Sequence, residues 1–170
     1  MSFLKLISRW IEKITENVGV AVSWLLLVMA LVIIWDVLLR YLFKAGSVAV
    51  QDMEWYLFGI NFLLGAAMNY NNDSNTRIDI FYNRYSKKTK AVIELLGHVI
   101  FLLPFLLAVI WWCYPFVSDS WATRERSLSP GGLPGIYLIK AVIPVAFILL
   151  LIGFIPNAVK NLFVIMGRKE

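Results

Sequence analysis

The sequence predicts an all-α membrane protein: four transmembrane helices preceded by an N-terminal amphipathic helix, in a single domain over residues 1–170. Three observations lead there. Hydrophobic residues make up 60% of the 170 residues and mean hydropathy is +0.73, whereas soluble domains hold roughly 45–50% apolar residues, so the excess needs lipid or a partner to cover it. The apolar residues are gathered into runs long enough to cross a bilayer. The charges fall between those runs, and unequally on the two sides.

Residues 1–16 are amphipathic. Phe3, Leu4, Ile7, Trp10, Ile11 and Ile14 follow helical spacing, while Lys5, Arg9, Glu12, Lys13 and Glu16 take the other face. That pattern suits a helix lying in the headgroup region; a soluble lead-in to the first span is the alternative. The first span covers residues 18–39, with no charge between 18 and 35. About twenty apolar residues at 1.5 Å each cross the hydrocarbon core. A secretory signal has an apolar core of roughly 7–15 residues; this run is longer and ends in Asp36, Arg40 and Lys44, so it is read as uncleaved.

The second span, about 53–70, has a short uncharged core that contains Asn61, and inserts poorly by itself. Gly59, Gly65, Ala66 and Ala67 let a neighbouring helix approach closely, which suits a packed position. The third span, about 92–117, is long enough to cross with tilt, and Pro104 should kink it by removing one backbone hydrogen bond. The fourth, 136–155, carries Lys140 one turn in and Pro144 beyond it. Its helix is expected to run past Pro156 to Met166 along the membrane surface.

Four spans put both termini on one side. With the connection between spans two and three, that side holds Lys5, Arg9, Lys13, Arg77, Arg84, Lys87, Lys88, Lys90, Lys160, Arg168 and Lys169. The other side holds Arg40, Lys44, Arg124 and Arg126, with Lys140 inside a helix near it. Eleven against four predicts cytoplasmic termini. The net charge of +5 is thus explained by orientation and not by a nucleic-acid patch.

Single copies of cysteine (Cys113) and histidine (His98) exclude an intramolecular disulfide, a cysteine metal cage and bis-histidine haem ligation within the chain. There is no Gly-rich phosphate loop, metal-ligand cluster or nucleophile triad, so neither an enzyme nor a resident cofactor is expected. Asp36, Arg40, Glu54 and Lys140 all fall toward the outer leaflet. Asp36 and Arg40 are spaced to face each other on one helix, and Glu54 and Lys140 are expected to pair across helices, because an unpaired charge in a membrane is costly. One reading is an electrostatic staple that fixes helix packing; the other is an ion or proton path. Glu94 and His98, four apart, are either a proton relay or an interface pair, and Asn61 is expected to bond a neighbouring helix. In the outer loop 118–135, Arg124, Glu125 and Arg126 either meet a soluble partner or belong to a solvated connector. Single proline kinks and no internal repeat weigh against a self-sufficient carrier, which stays an alternative, as does a respiratory membrane anchor.

Several segments resemble one family in their order and spacing. They are Asp36-Val-Leu-Leu-Arg40-Tyr41 ending the first span, Glu54 followed by Gly65-Ala66-Ala67, and Arg77-Ile78-Asp79. The last is Ser129-Pro130-Gly131-Gly132-Leu133-Pro134 with Lys140 and Pro144. The chain resembles the small membrane subunit (DctQ-like) of tripartite ATP-independent periplasmic (TRAP) transporters. The resemblance implies a multi-pass protein of the bacterial inner membrane, accessory to sodium-driven uptake of organic acids. It implies a large elevator-type permease subunit holding the substrate and sodium sites, a periplasmic binding protein delivering the ligand, and membrane lipid around the complex. On it, Asp36, Arg40, Glu54, Arg77, Asp79, Gly132, Leu133, Pro134 and Lys140 serve packing and assembly.

Overall fold

The computed structural model describes residues 2–71 and 85–167, with the side chains of 2–9, 12 and 71 left aside. Four long helices account for nearly all of it, and among the described residues the extended backbone is one isolated bridge between Arg126 and Pro134.

Helix α1, Ser2–Phe43, is 42 residues long, about 63 Å at 1.5 Å per residue. The amphipathic stretch and the first span are one uninterrupted helix. Nothing between them stops it: there is no proline, and the Thr15 and Ser23 hydroxyls donate back to the Ile11 and Gly19 carbonyls at 2.9 Å. Its inward face repeats every three or four residues through Ile11, Thr15, Val18, Val22, Leu25, Met29, Val32, Asp36 and Leu39. A 3.5-residue seam of this kind keeps one face against a neighbour in left-handed packing. Gly19 lies on the seam, where a Cβ would run into the Met68 side chain of the next helix. The opposite face, with Trp24, Leu31, Ile34 and Trp35, is bare of protein.

Four residues, Lys44 to Ser47, turn the chain into α2, Val48–Asn71. At 24 residues it is about 36 Å long, long enough to cross, but Asp52, Glu54 and Asn61 keep it from being as apolar as the others. Among the described residues, three segments are both long and apolar enough to cross a membrane by themselves: Lys13–Phe43 of α1, Lys87–Ala122 and Ile136–Ile165.

Helix α3, Lys87–Ala122, starts at Ser86, whose side chain caps it by accepting from the Thr89 N–H at 3.1 Å. Before Pro104 the helix widens into a π segment, His98–Leu102, and the Leu103 N–H reaches back five residues to the His98 carbonyl. Proline supplies no N–H to the Ile100 carbonyl, and the disturbance expected there takes the form of this π bulge. Helix α4, Ile136–Ile165, starts after Gly135, whose φ of 92° favours glycine. It passes through Pro144 and Pro156, so the helix does continue beyond Pro156.

Helix α4 is the hub, packing on α1, α2 and α3. Its buried Ala146 and Gly153 are small, which lets neighbours come close. Directions follow from paired residues. Asp52, Gly59 and Tyr70 of α2 meet Leu133, Ile139 and Asn157 in the same order, so α2 and α4 are parallel. His98, Phe105 and Trp121 of α3 meet Phe154, Phe147 and Tyr137 in reverse order, so α3 and α4 are antiparallel. The bundle runs up, down, up, down. Connections 44–47 and 123–135 therefore share one end, and the start of α1 and the end of α4 share the other.

Candidate functional site: the charge cluster at the loop end

Asp36, Arg40, Asp52, Glu54, Asp119 and Lys140 lie toward the end carrying the two described connections. Asp36 and Arg40 form the expected ion pair along α1. The Asp36 side chain is only 3% exposed because it sits on the packing seam. One oxygen, Oδ2, takes the guanidinium; Oδ1 is buried without a hydrogen-bond partner.

The expected pair between Glu54 and Lys140 does not form. Lys140 Nζ binds Glu125 Oε2, lies 4.3 Å from the centre of the Phe116 ring of α3, and Glu54 keeps a buried Oε1 with no partner. Helix geometry explains the exchange. Ile139 is the residue of α4 that faces α2, and at 3.6 residues per turn the next side chain points about 100° away. Lys140 is thereby aimed at α3 and at the loop beyond it. Its stem lies along the helix interface while its ammonium reaches the polar end, leaving the side chain 18% exposed.

Glu125, its side chain 34% exposed, is thus tied to α4 from within the loop. Besides Lys140 it accepts from Ser120 Oγ at 2.6 Å. These two hydrogen bonds, with the Lys140 charge behind them, hold its carboxyl below the ordinary glutamate range. Its neighbours Arg124 and Arg126 do face outward.

A second carboxylate anchors the same loop. Asp52 Oδ2 accepts from the Leu133 N–H at 2.9 Å, across 81 residues of sequence. Gly132 makes this approach possible: a Cβ there would press on the Asp52 carboxylate and lie 2.5 Å from the Ser127 side chain. Ser127 N–H donates to the Leu133 carbonyl at 3.1 Å and Gly132 N–H to that of Ser129 at 2.9 Å. Pro134 closes the bridge to Arg126. The Gly132-Leu133-Pro134 segment thus forms a small fixed turn seated on the start of α2. Asp52 and Ser120 were not singled out in the sequence, because their partners lie on elements whose proximity no local pattern shows.

Arg77 and Asp79 lie outside the described residues. Asn61 does not reach across helices: its amide donates to the Leu57 carbonyl of its own helix at 2.8 Å, and its Oδ1 is buried without a partner. Glu94 accepts from Asn161 of α4 at 3.4 Å, and the His98 ring packs edge-on between Tyr70 and Phe154. Both residues join α3 to its neighbours. Among the described residues no three His, Cys, Asp or Glu side chains gather as a metal site would need.

Long apolar helices, bare outer faces and charges paired at one end define a helical membrane protein whose polar groups serve its own packing. The chain matches the family described as tripartite ATP-independent periplasmic transporters, DctQ component, over residues 29–163, and belongs to it. It is also similar to a Haemophilus influenzae protein described as "Putative TRAP transporter small permease protein", at 23% identity over 126 residues, covering 74% of this chain and 71% of the relative. The family is one of transporter subunits, not of enzymes.

Proposed function

We propose that this chain is the accessory subunit of a sodium-driven TRAP transporter importing an organic acid delivered by a periplasmic binding protein, and that it braces a larger permease subunit. The observation that carries the reading is the commitment of Lys140, Glu125, Asp52, Asp36 and Arg40, at the loop end, to the chain itself. Glu125 and Ser120 take Lys140, Asp52 takes the Leu133 N–H, and Asp36 takes Arg40. Groups spent in this way hold helices and do not cradle a solute. The sodium and substrate sites belong on the large subunit in this reading.

The bilayer is the bacterial inner membrane, with all four helices crossing it and both termini in the cytoplasm. The charge asymmetry of the sequence supports that orientation, and so does the up-down order of the helices. Helix α2 crosses despite its polar residues because α1 and α4 cover it.

Reconstitution tests the proposal. Vesicles holding this chain alone should show no sodium-dependent uptake of an organic acid. Uptake should require the large membrane subunit and the binding protein. Flux through this chain by itself would refute the reading. For orientation, a cysteine placed at Lys88 should react with an impermeant maleimide only in inverted vesicles, and one at Ser129 only in intact spheroplasts.

A further inference from the structure

An open apolar groove of about 1330 Å³ runs between α3 and α4 at the loop end, lined by Leu107, Ile110, Val117, Trp121, Pro144 and Ile148 among others. We propose that it holds one anionic phospholipid of the adjoining leaflet, acyl chains along the groove and phosphate against Arg124 and Arg126.

Length, polarity and charge each favour that occupant. The lining of α3 extends from Leu107 to Ala122, about 22 Å at 1.5 Å per residue. Half a bilayer, headgroups included, is about 20–22 Å thick. The groove is therefore one leaflet deep. A transmembrane helix of a partner would need a track across the whole hydrocarbon core of about 30 Å, and the groove stops at Leu107. No lining residue is charged, and Ser118 and the Trp121 indole, its polar groups nearest the loop, lie at headgroup depth. Pro115 and Pro144 both line it, and each leaves a carbonyl of the preceding turn without its helical hydrogen bond.

The loop then places cations at the mouth. Arg124 N–H donates to the Trp121 carbonyl at 3.2 Å, so the residue sits one turn beyond the groove, with φ of 46° and an exposed side chain. Arg126 is held by the bridge to Pro134 and is also exposed. Glu125, between them, is turned inward to Lys140 and Ser120 and does not neutralise them. Asp119 is exposed nearby on α3 but is not among the lining residues. Two outward arginines at the polar end of a leaflet-deep apolar groove match a phosphate above two acyl chains.

The full-length chain, purified in mild detergent, is titrated with palmitoyl-oleoyl phosphatidylglycerol or phosphatidylcholine and read by native mass spectrometry. One phosphatidylglycerol should be retained in preference to phosphatidylcholine, by roughly fivefold per arginine if each contributes the ~1 kcal/mol of a basic residue at a lipid surface. Replacing both arginines (R124Q/R126Q) should abolish the preference, while Lys44→Gln, a basic residue at the same end on α1, should leave it intact. Ile110→Trp should reduce retention of both lipids at unchanged helix content. Equal retention of the two lipids by the unaltered chain, or an equal loss with Lys44→Gln, would overturn the proposal. So would undiminished retention by Ile110→Trp. A photoreactive benzoylphenylalanine at Trp112 supplies an independent measurement in cells: lipid adducts support the proposal, and a protein adduct overturns it.

Discussion

Gly132→Ala tests whether the loop at the end of the bundle is built onto Asp52. An added Cβ would meet the Asp52 carboxylate and the Ser127 side chain, 2.5 Å from Ser127 Cβ and Oγ. Neither is the free end of a long side chain, so the carboxylate must leave the Leu133 N–H or the turn must move. A hydrogen bond to an ionised group contributes about 1.5–3 kcal/mol when buried; Asp52 is half-buried, so the lower value applies. Overpacking adds about 1–3 kcal/mol. The sum, about 2.5–4.5 kcal/mol, acts on the local opening of loop 123–135.

Arg124 and Arg126 make that opening measurable, because trypsin can cleave them only when the turn loosens enough to thread its site. When closing is faster than cleavage, the rate follows the population of the open form. Gly132→Ala should therefore speed cleavage at least tenfold, since about 1.4 kcal/mol is a factor of ten. Asp52→Ala should speed it by a similar or smaller factor through the lost hydrogen bond alone. The two substitutions share a partner, so their effects should not add: Gly132→Ala should cost clearly less in the Asp52→Ala protein. Wild-type cleavage of the Gly132→Ala protein, or fully additive effects, would refute the anchoring role of Asp52.

Three further outcomes are expected. Glu125→Gln should lower the yield of folded protein in fluorescence-detected gel filtration more than Lys140→Met, since it leaves an ammonium at the helix interface without its counter-ion; Glu125→Gln with Lys140→Met should recover much of the loss, and no recovery would contradict the pairing. The folded carboxyl of Glu125 is depressed, so its contribution is complete above the ordinary glutamate value of about 4.3 and is lost as the pH falls through the lower folded value. The difference in melting temperature between wild type and Glu125→Gln should thus be flat from about pH 5 to 8 and shrink only in stronger acid, whereas a transition near neutrality would show that another group controls it. Gly19→Ala should cost only about 1 kcal/mol or less, because the Met68 thioether it displaces is flexible; Gly19→Leu should disrupt the α1–α2 contact, and Gly19→Leu with Met68→Ala should partly restore it, as read from thermal unfolding in detergent.

Which parts of this molecule were legible in the sequence depends on how local the controlling interaction is. Apolar runs of bilayer length are local, and helices long and apolar enough to cross a membrane cover the first, third and fourth runs, although the first is continuous with the N-terminal segment. The i, i+4 spacing of Asp36 and Arg40 is local too, and the pair forms. The Glu54–Lys140 pairing failed because similar depth was inferred without rotation about the helix axis: Ile139 takes the face toward α2, and Lys140 falls on the next. Asn61 likewise stays on its own helix, its amide bonded to the Leu57 carbonyl one turn back. The Gly132-Leu133-Pro134 turn was visible as a motif, but its purpose was not. The Cβ-free approach to Asp52 spans 81 residues, and it becomes apparent only when α2 and α4 lie parallel.

The division of polar groups along the bundle bears on how such a subunit can brace a larger neighbour. At the loop end the fastenings are ionic or charge-assisted: Lys140 to Glu125, Asp52 to Leu133, Arg40 to Asp36. Toward the opposite end the contacts include those of Asn157 with the Tyr70 carbonyl and of Asn161 with Glu94, each 3.4 Å. Ring packing around His98 supplements them. Helix α4 supplies Lys140, Phe154, Asn157 and Asn161 to these contacts and packs on α1, α2 and α3, so it is the central helix of the bundle. That arrangement leaves the outer face of α1 and much of α3 free of internal duties. Each can then cover a neighbour or lipid without disturbing the contacts that hold the bundle together.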